Sequence, residues 1–90
     1  MTVTPFEADP QLIELSLRIG VHVRTRRQAR GMSRRMLSKI SGVSERYLAQ
    51  LETGNGNATV GILHRLALVF GCAVEDLIGG NARPNAEKSN

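Results

Sequence analysis

The sequence has few of the features that mark secreted, membrane-spanning or RNA-binding proteins. Its single cysteine, Cys72, can form neither an internal disulfide nor a zinc site built from several cysteines. Aromatic residues make up only 3% of the chain, which argues against a platform of stacked rings that holds single-stranded nucleic acid. No apolar run approaches the roughly 18 residues of a membrane span, and residues 1–10 lack the basic start and apolar core of a signal peptide. We therefore expect a cytoplasmic protein without membrane contact.

Groups that commonly carry catalysis or hold a cofactor are also scarce. His22 and His64 stand far apart in the sequence, and neither has a cysteine or an acid at metal-ligand spacing. Gly54–Gly56 lacks the lysine and the helix start of a phosphate-binding loop. The sequence therefore predicts no enzyme, no metal site and no cofactor. We expect the two histidines to be surface or helix-packing residues, and Cys72 to be a small buried residue.

The distribution of charge is the first positive indication of function. The chain has 90 residues, a net charge of +4 and an isoelectric point near 10.2, and its length is that of one domain. Residues 18–65 contain nine arginines and Lys39 but only Glu45 and Glu52 as acids. A basic block of this kind is typical of a protein that binds a polyanion, although a solvated basic surface has the same composition.

Hydrophobic spacing predicts a long first helix that begins at Asp9–Pro10 and runs to about Arg30, where Gly31 ends it. Its apolar residues form two neighbouring stripes at helical spacing, namely Leu12, Leu15, Ile19 and Val23, and Ile13, Leu17 and Val21. Together they are wider than one packing seam requires. We therefore expect a homodimer whose interface lies on this helix or on Val74–Ile78, which adds exposed apolar positions.

Capping residues and glycines predict four further helices and hence an all-α domain over residues 11–78. Ser33, Ser44 and Thr59 begin the second, third and fourth helices, and Val74–Ile78 is a last helical turn or two. The inward residues are expected to be Met36, Leu37 and Ile40 on the second helix, Leu48 and Leu51 on the third, and Ile62, Leu63, Leu66, Ala67 and Phe70 on the fourth. Residues 1–10 are expected to be an extension, and residues 79–90 a disordered tail.

The second and third helices form a helix-turn-helix pattern over about residues 33–53, with Gly42 in the turn. In the segments RGMSR from Arg30, SGVS from Ser41 and LAQLETG from Leu48, the chain resembles the Cro/repressor-type (XRE-like) helix-turn-helix family. The resemblance covers residues 17–78 and implies a compact five-helix, lambda-repressor-like domain that binds double-stranded DNA. Residues 44–52 are also similar to regulators that append a shikimate-kinase-like domain. This chain lacks such a domain, so it is either a stand-alone relative or a fragment of a longer regulator.

The third helix is expected to read DNA bases, because this family places it in the major groove. With Leu48 and Leu51 inward, the outward positions are suited to base edges. Arg46 is expected to contact guanine and Gln50 to contact adenine, while Ala49 would meet a thymine methyl group. Glu45 would accept from a cytosine amino group, or else it simply suits the helix dipole.

Contacts to the DNA backbone are predicted for Ser33, Arg34, Arg35, Ser44, Tyr47, Thr53, Asn55 and Asn57. Arg34 and Arg35 follow a helix cap, where the helix dipole disfavours each cation by roughly 0.3–1 kcal/mol unless a phosphate binds there. The family usually has glutamine at position 34, so a base-reading role for Arg34 is not expected. The resemblance further implies a structural ion pair between Arg27 and Glu52.

The sequence therefore predicts a sequence-specific transcriptional regulator, a repressor that acts as a homodimer on a pseudo-palindromic operator. Two alternatives remain open from the sequence alone. One is an antitoxin that neutralises a toxin and represses its own operon, and the other is a restriction–modification controller protein. They differ in neighbouring genes rather than in motif, and the sequence leaves open whether an effector acts.

Overall fold

The computed structural model describes residues 9–55 and 57–79. Within these ranges the chain forms five α-helices and no strand, as the sequence predicts. They are α1 (Pro10–Ala29), α2 (Arg34–Ser41), α3 (Glu45–Glu52), α4 (Val60–Phe70) and α5 (Val74–Ile78). The predicted extension, apart from its last two residues, and the predicted tail, apart from Gly79, lie outside the described residues. No helix in the described ranges is long and apolar enough to span a membrane.

The helices begin at the predicted capping residues. The side chains of Ser33, Ser44 and Thr59 accept hydrogen bonds from backbone amides three residues later, at 3.0, 3.1 and 3.1 Å. Each bond satisfies an amide that has no partner inside the helix. Between α2 and α3 the chain reverses at Gly42, whose φ of 79° lies in the left-handed region. Residues with a side chain rarely adopt this conformation, so the turn requires glycine.

The hydrophobic core lies where the five helices meet. Helix α1 packs against α3, α4 and α5, and α2 packs against α3 and α4. The buried apolar residues are Ile19, Val23, Leu37, Val43, Leu48, Leu51, Leu63, Leu66, Ala67, Phe70 and Leu77. The predicted inward residues of α3 are therefore confirmed, as are four of the five on α4, while Ile62 is half-buried.

The predicted inward face of α2 is wrong in two of its three residues. Leu37 is fully buried, but Met36 and Ile40 are 49% and 53% exposed. The side of α2 that faces the domain instead runs through Arg34, Leu37 and Ser41, at the three- and four-residue spacing of a helix face. Because Arg34 and Ser41 are polar, a prediction from apolar residues alone selects a neighbouring face of α2 instead of the buried one.

Helix α5 and Cys72 also differ from expectation. Leu77 is fully buried, and Val74 and Ile78 are half-buried against the core, so α5 contributes little exposed apolar surface. It packs on α1, where the His22 Nε2 atom lies 2.8 Å from the carbonyl oxygen of Gly79. Cys72 is half-buried rather than buried. Exposed apolar side chains are found instead on other helices, among them Val21 on α1 and Leu68 on α4.

Candidate nucleic-acid interface

Helix α3 is fixed to the domain by an unusually close approach to α1. A Cβ atom at Gly20 would lie 2.5 Å from the carbonyl oxygen of Leu51 and 2.8 Å from that of Glu52. Only a residue without a side chain therefore fits between the two backbones. Leu48 and Leu51 anchor the same side of α3 and are almost completely buried. No pattern in the sequence indicated this role for Gly20.

A buried ion pair joins α1 to the last residue of α3. The Nε atom of Arg27 donates to Oε2 of Glu52 at 2.7 Å, and Nη2 donates to Oε1 at 3.0 Å. The remaining terminal nitrogen, Nη1, donates to the carbonyl oxygen of Met32 at 2.7 Å. The hydrogen bond to Glu52 raises the pKa of Arg27 above its usual value, against the lowering effect of burial. The residues that the family resemblance pairs are thus bonded, and they fix the end of α3.

Arg34 makes a contact with Glu52 that sequence reasoning missed. Its Nε atom donates to Oε1 of Glu52 at 3.1 Å. The carboxylate offsets the unfavourable helix dipole at Arg34. Arg35, by contrast, is exposed and makes no ion pair with the described residues. The available signal was position: Arg34 stands three residues before the buried Leu37 and so on the same helix face.

The opposite side of α3 carries most of the residues predicted to contact bases. Glu45, Arg46 and Gln50 are exposed, while Ala49 is half-buried. Arg46 and Gln50 are four residues apart and so lie one above the other on one face. Together these residues form a polar outward surface on a helix whose inner side is fixed.

The predicted backbone contacts divide into two groups. The first lies at the starts of α2 and α3, where Ser33, Arg35 and Ser44 are exposed and Arg34 is half-buried. The two serine oxygens accept amide hydrogens in the caps, which leaves their hydroxyl hydrogens for another acceptor. The four side chains at the starts of α2 and α3 can therefore contact a phosphate and keep their hydrogen bonds within the protein.

The second group consists of Tyr47 on α3 and three residues of the loop that follows, and two of its hydroxyl groups already bond within the protein. The Tyr47 hydroxyl donates to the carbonyl oxygen of Asn57, and the Thr53 hydroxyl donates to that of Gln50 at 2.9 Å. The backbone amide of Asn55 also donates to Gln50, at 2.9 Å. Each hydroxyl has one hydrogen, so phosphate binding by Tyr47 or Thr53 would break an existing bond. The side chains of Asn55 and Asn57 are exposed.

Comparison with known proteins agrees with the helix-turn-helix fold. The family model HTH_3, described as helix-turn-helix, matches residues 23–77. Among solved structures, the restriction-modification controller protein C.AhdI from Aeromonas hydrophila is 26% identical with a TM-score of 0.66; the match covers 69% of this chain and 94% of that one. The hypothetical transcription factor NHTF from Neisseria is 22% identical with a TM-score of 0.68, covering 87% of this chain and 84% of that one.

An HTH_3 family transcriptional regulator from Vibrio cholerae shows the same fold, with 23% identity and a TM-score of 0.69. The match covers 73% of this chain but only 37% of the Vibrio protein. No curated protein matches the chain significantly. Since the family model spans more than half of the sequence, including all of α2, α3 and α4, the chain belongs to the HTH_3 helix-turn-helix family.

Proposed function

We propose that the chain is a transcriptional regulator that binds double-stranded DNA with α3 in the major groove. One observation carries the proposal: α3 is held on one side by Gly20 and the Arg27–Glu52 pair, and it exposes Arg46 and Gln50 on the other. A helix that reads bases needs this combination, because a rigid support fixes its register while the outward side chains select the sequence. The proposal includes a cytoplasmic location and repression as the outcome of binding.

The residue roles in this proposal follow from exposure and chemistry. Arg46 donates two hydrogen bonds to guanine, Gln50 pairs with adenine, and Glu45 and Ala49 contact neighbouring base edges. Arg35, with the hydroxyl groups of Ser33 and Ser44, contacts phosphates at the starts of α2 and α3. Asn55 and Asn57 add weaker phosphate contacts from the loop.

The proposed regulator is a homodimer, and the exposed stripe of α1 is the proposed interface. Ile13, Leu17 and Val21 follow one another at four-residue intervals and are all exposed. An apolar stripe of this kind is typical of an association surface. Two-fold pairing would place two α3 helices on half-sites about 10–10.5 base pairs apart, and the operator would be pseudo-palindromic.

Val21→Lys tests this interface without disturbing the core, because the side chain is exposed. We expect the substitution to shift the sedimentation coefficient towards that of a monomer. Val60→Lys is the matched control, since Val60 is also exposed but lies on α4. A wild-type chain that sediments as a monomer both free and on DNA would contradict the dimer.

A restriction–modification controller is the second candidate, favoured by the similarity to C.AhdI over 94% of that chain. Both candidates are DNA-binding regulators, and the promoter that each would bind distinguishes them. A controller would bind upstream of adjacent nuclease and methylase genes. Comparing the DNA sequence that the protein prefers with the sequences upstream of such genes distinguishes the two candidates.

Selection of binding sites from random duplex DNA, followed by titration at several salt concentrations, tests the main proposal. If a dimer contacts about eight phosphates, log K should fall with log[salt] with a slope near −7. A duplex with scrambled sequence is the control, and it should bind more weakly than the selected site. No enriched sequence, or a slope shallower than about −2, would contradict the proposed function.

A further inference from the structure

Glu52 is bonded to two arginines, and the two bonds differ in what they leave free. Every nitrogen of the Arg27 guanidinium has an acceptor in the protein, and the side chain is only 9% exposed. Arg34 donates to Glu52 through Nε alone, and its side chain is 39% exposed. Within residues 9–55 and 57–79, neither terminal nitrogen of Arg34 has an acceptor. Arg34 is thus held at one edge and open at the other.

The charges of Arg27, Arg34 and Glu52 together favour an anion at the open edge of Arg34. The carboxylate of Glu52 is 1% exposed and already receives two hydrogen bonds from Arg27. Arg34 adds a third bond to the carboxylate, through Oε1, so two cations share one buried anion. The group keeps an excess positive charge, and Arg34 carries the part that solvent reaches. An arginine restrained in this way is a favourable ligand for phosphate, which pairs with the planar fork of the guanidinium.

We propose that Glu52 is a positioning residue for DNA binding, which holds Arg34 through Nε so that its terminal nitrogens are oriented for a DNA phosphate before DNA arrives. This inference rests on the proposed function, because it assigns a role within DNA binding. Glu52 itself touches no DNA. A buried acid at the end of the base-reading helix therefore contributes to affinity through Arg34 as well as to stability through Arg27.

Lysine cannot replace arginine in this role, although it has the same charge. An ammonium group has a single nitrogen, so it has no separate edge to bond Glu52 while a planar fork faces phosphate. Arg35 provides the matched comparison. It is the next residue on the same helix and makes no ion pair with the described residues. Lysine at position 35 should therefore cost less affinity than lysine at position 34.

Four variants separate orientation from charge: Arg34→Lys, Arg34→Ala, Arg35→Lys and Arg35→Ala. Affinity for selected and scrambled duplexes is measured at several salt concentrations, below the melting temperature of every variant. Arg34→Lys should raise Kd about three- to tenfold per half-site on both duplexes, the cost of ordering one side chain, with an unchanged salt slope. Arg35→Lys should raise Kd by a smaller factor than Arg34→Lys, because Arg35 has no bond to Glu52 to lose. Both alanine variants should reduce the slope by about one per half-site.

Equal Kd values for Arg34→Lys and the wild type would overturn the inference, because charge alone would then suffice. Unchanged affinity of Arg34→Ala would overturn it as well. If the wild type binds no duplex, the proposed function fails, and the inference fails with it for that separate reason.

A second measurement needs no DNA. In the free protein, the Nε hydrogen of Arg34, followed by its NMR resonance, should exchange with solvent more slowly than the Nε hydrogen of Arg35. This measurement reports the bond to Glu52 without DNA, and equal exchange rates would overturn the positioning role.

Discussion

The two long sides of α3 differ in what restrains them. On the inner side, Leu48, Leu51 and Glu52 are buried and held by packing, a close backbone approach and an ion pair. On the outer side, Arg46 and Gln50 are exposed and make no side-chain hydrogen bond within the described residues. Stability and DNA recognition thus depend on different residues of one eight-residue helix. Substitutions on the inner side should change the free energy of unfolding, and those on the outer side should change affinity.

Loss of the ion pair on the inner side should have the largest effect. Arg27→Ala removes both bonds from α1 to Glu52. Within the described residues, Arg34 is then the one cationic partner that the carboxylate keeps. We expect the free energy of unfolding to fall by about 3 kcal/mol, near the lower end for a broken buried pair, because the bond from Arg34 remains. Denaturant titration measures the change.

Arg24→Ala is the control for this prediction, because Arg24 is an exposed arginine of the same helix. Its effect on the free energy of unfolding should stay within about 0.5 kcal/mol. A loss for Arg27→Ala as small as that of the control would mean that the pair does not stabilise the inner side.

A methyl group between α1 and α3 should have the next largest effect. Gly20→Ala would place the new Cβ atom 2.5 Å from the carbonyl oxygen of Leu51. This is too close for two non-bonded atoms, so the two helices must separate. We expect a loss of roughly 1–3 kcal/mol, which for a domain of this size lowers Tm by about 4–8 °C per kcal/mol. Thermal unfolding measures it.

Gly61→Ala is the matched control, since its Cβ would meet no atom closer than 4.0 Å. Alanine favours a helix over glycine by roughly 0.5–1 kcal/mol, so this variant should melt at a higher temperature than the wild type. If both alanines raised Tm, the close approach of α1 and α3 would not constrain the fold.

On the outer side, Arg46→Ala should change recognition without changing stability. We expect a loss of roughly 1–3 kcal/mol in binding free energy on the preferred site and relaxed selectivity at one base pair. Tm should be unaffected, because the side chain is exposed. Titrations with the selected and scrambled duplexes measure the difference, and equal losses on both would mean that another helix lies in the groove.

The same contrast explains how much of the molecule the sequence could predict. Caps such as Ser44 and turns such as Gly42 depend on a few neighbouring residues, so local patterns located all five helices. Burial on α2 was misjudged because Met36 and Ile40 are apolar but lie beside the inward face. The Arg34–Glu52 bond and the role of Gly20 depend on how separate helices meet, which no local pattern contains.

The smallest expected effect concerns Tyr47, which lies between the two sides of α3 and is half-buried. Its hydroxyl donates to the carbonyl oxygen of Asn57, whereas the sequence predicts a contact with phosphate. Tyr47→Phe keeps the ring and removes only this donor. If the bond to Asn57 is the main role, unfolding should become easier by about 0.5–1 kcal/mol. The amides of Ile62 and Leu63, which donate to Thr59, should then exchange faster by hydrogen-exchange mass spectrometry. Phosphate binding predicts the reverse: unchanged exchange in the free protein and weaker binding to every duplex. Since one hydroxyl hydrogen cannot serve both acceptors, the two measurements together assign Tyr47 to the support of the loop or to the DNA.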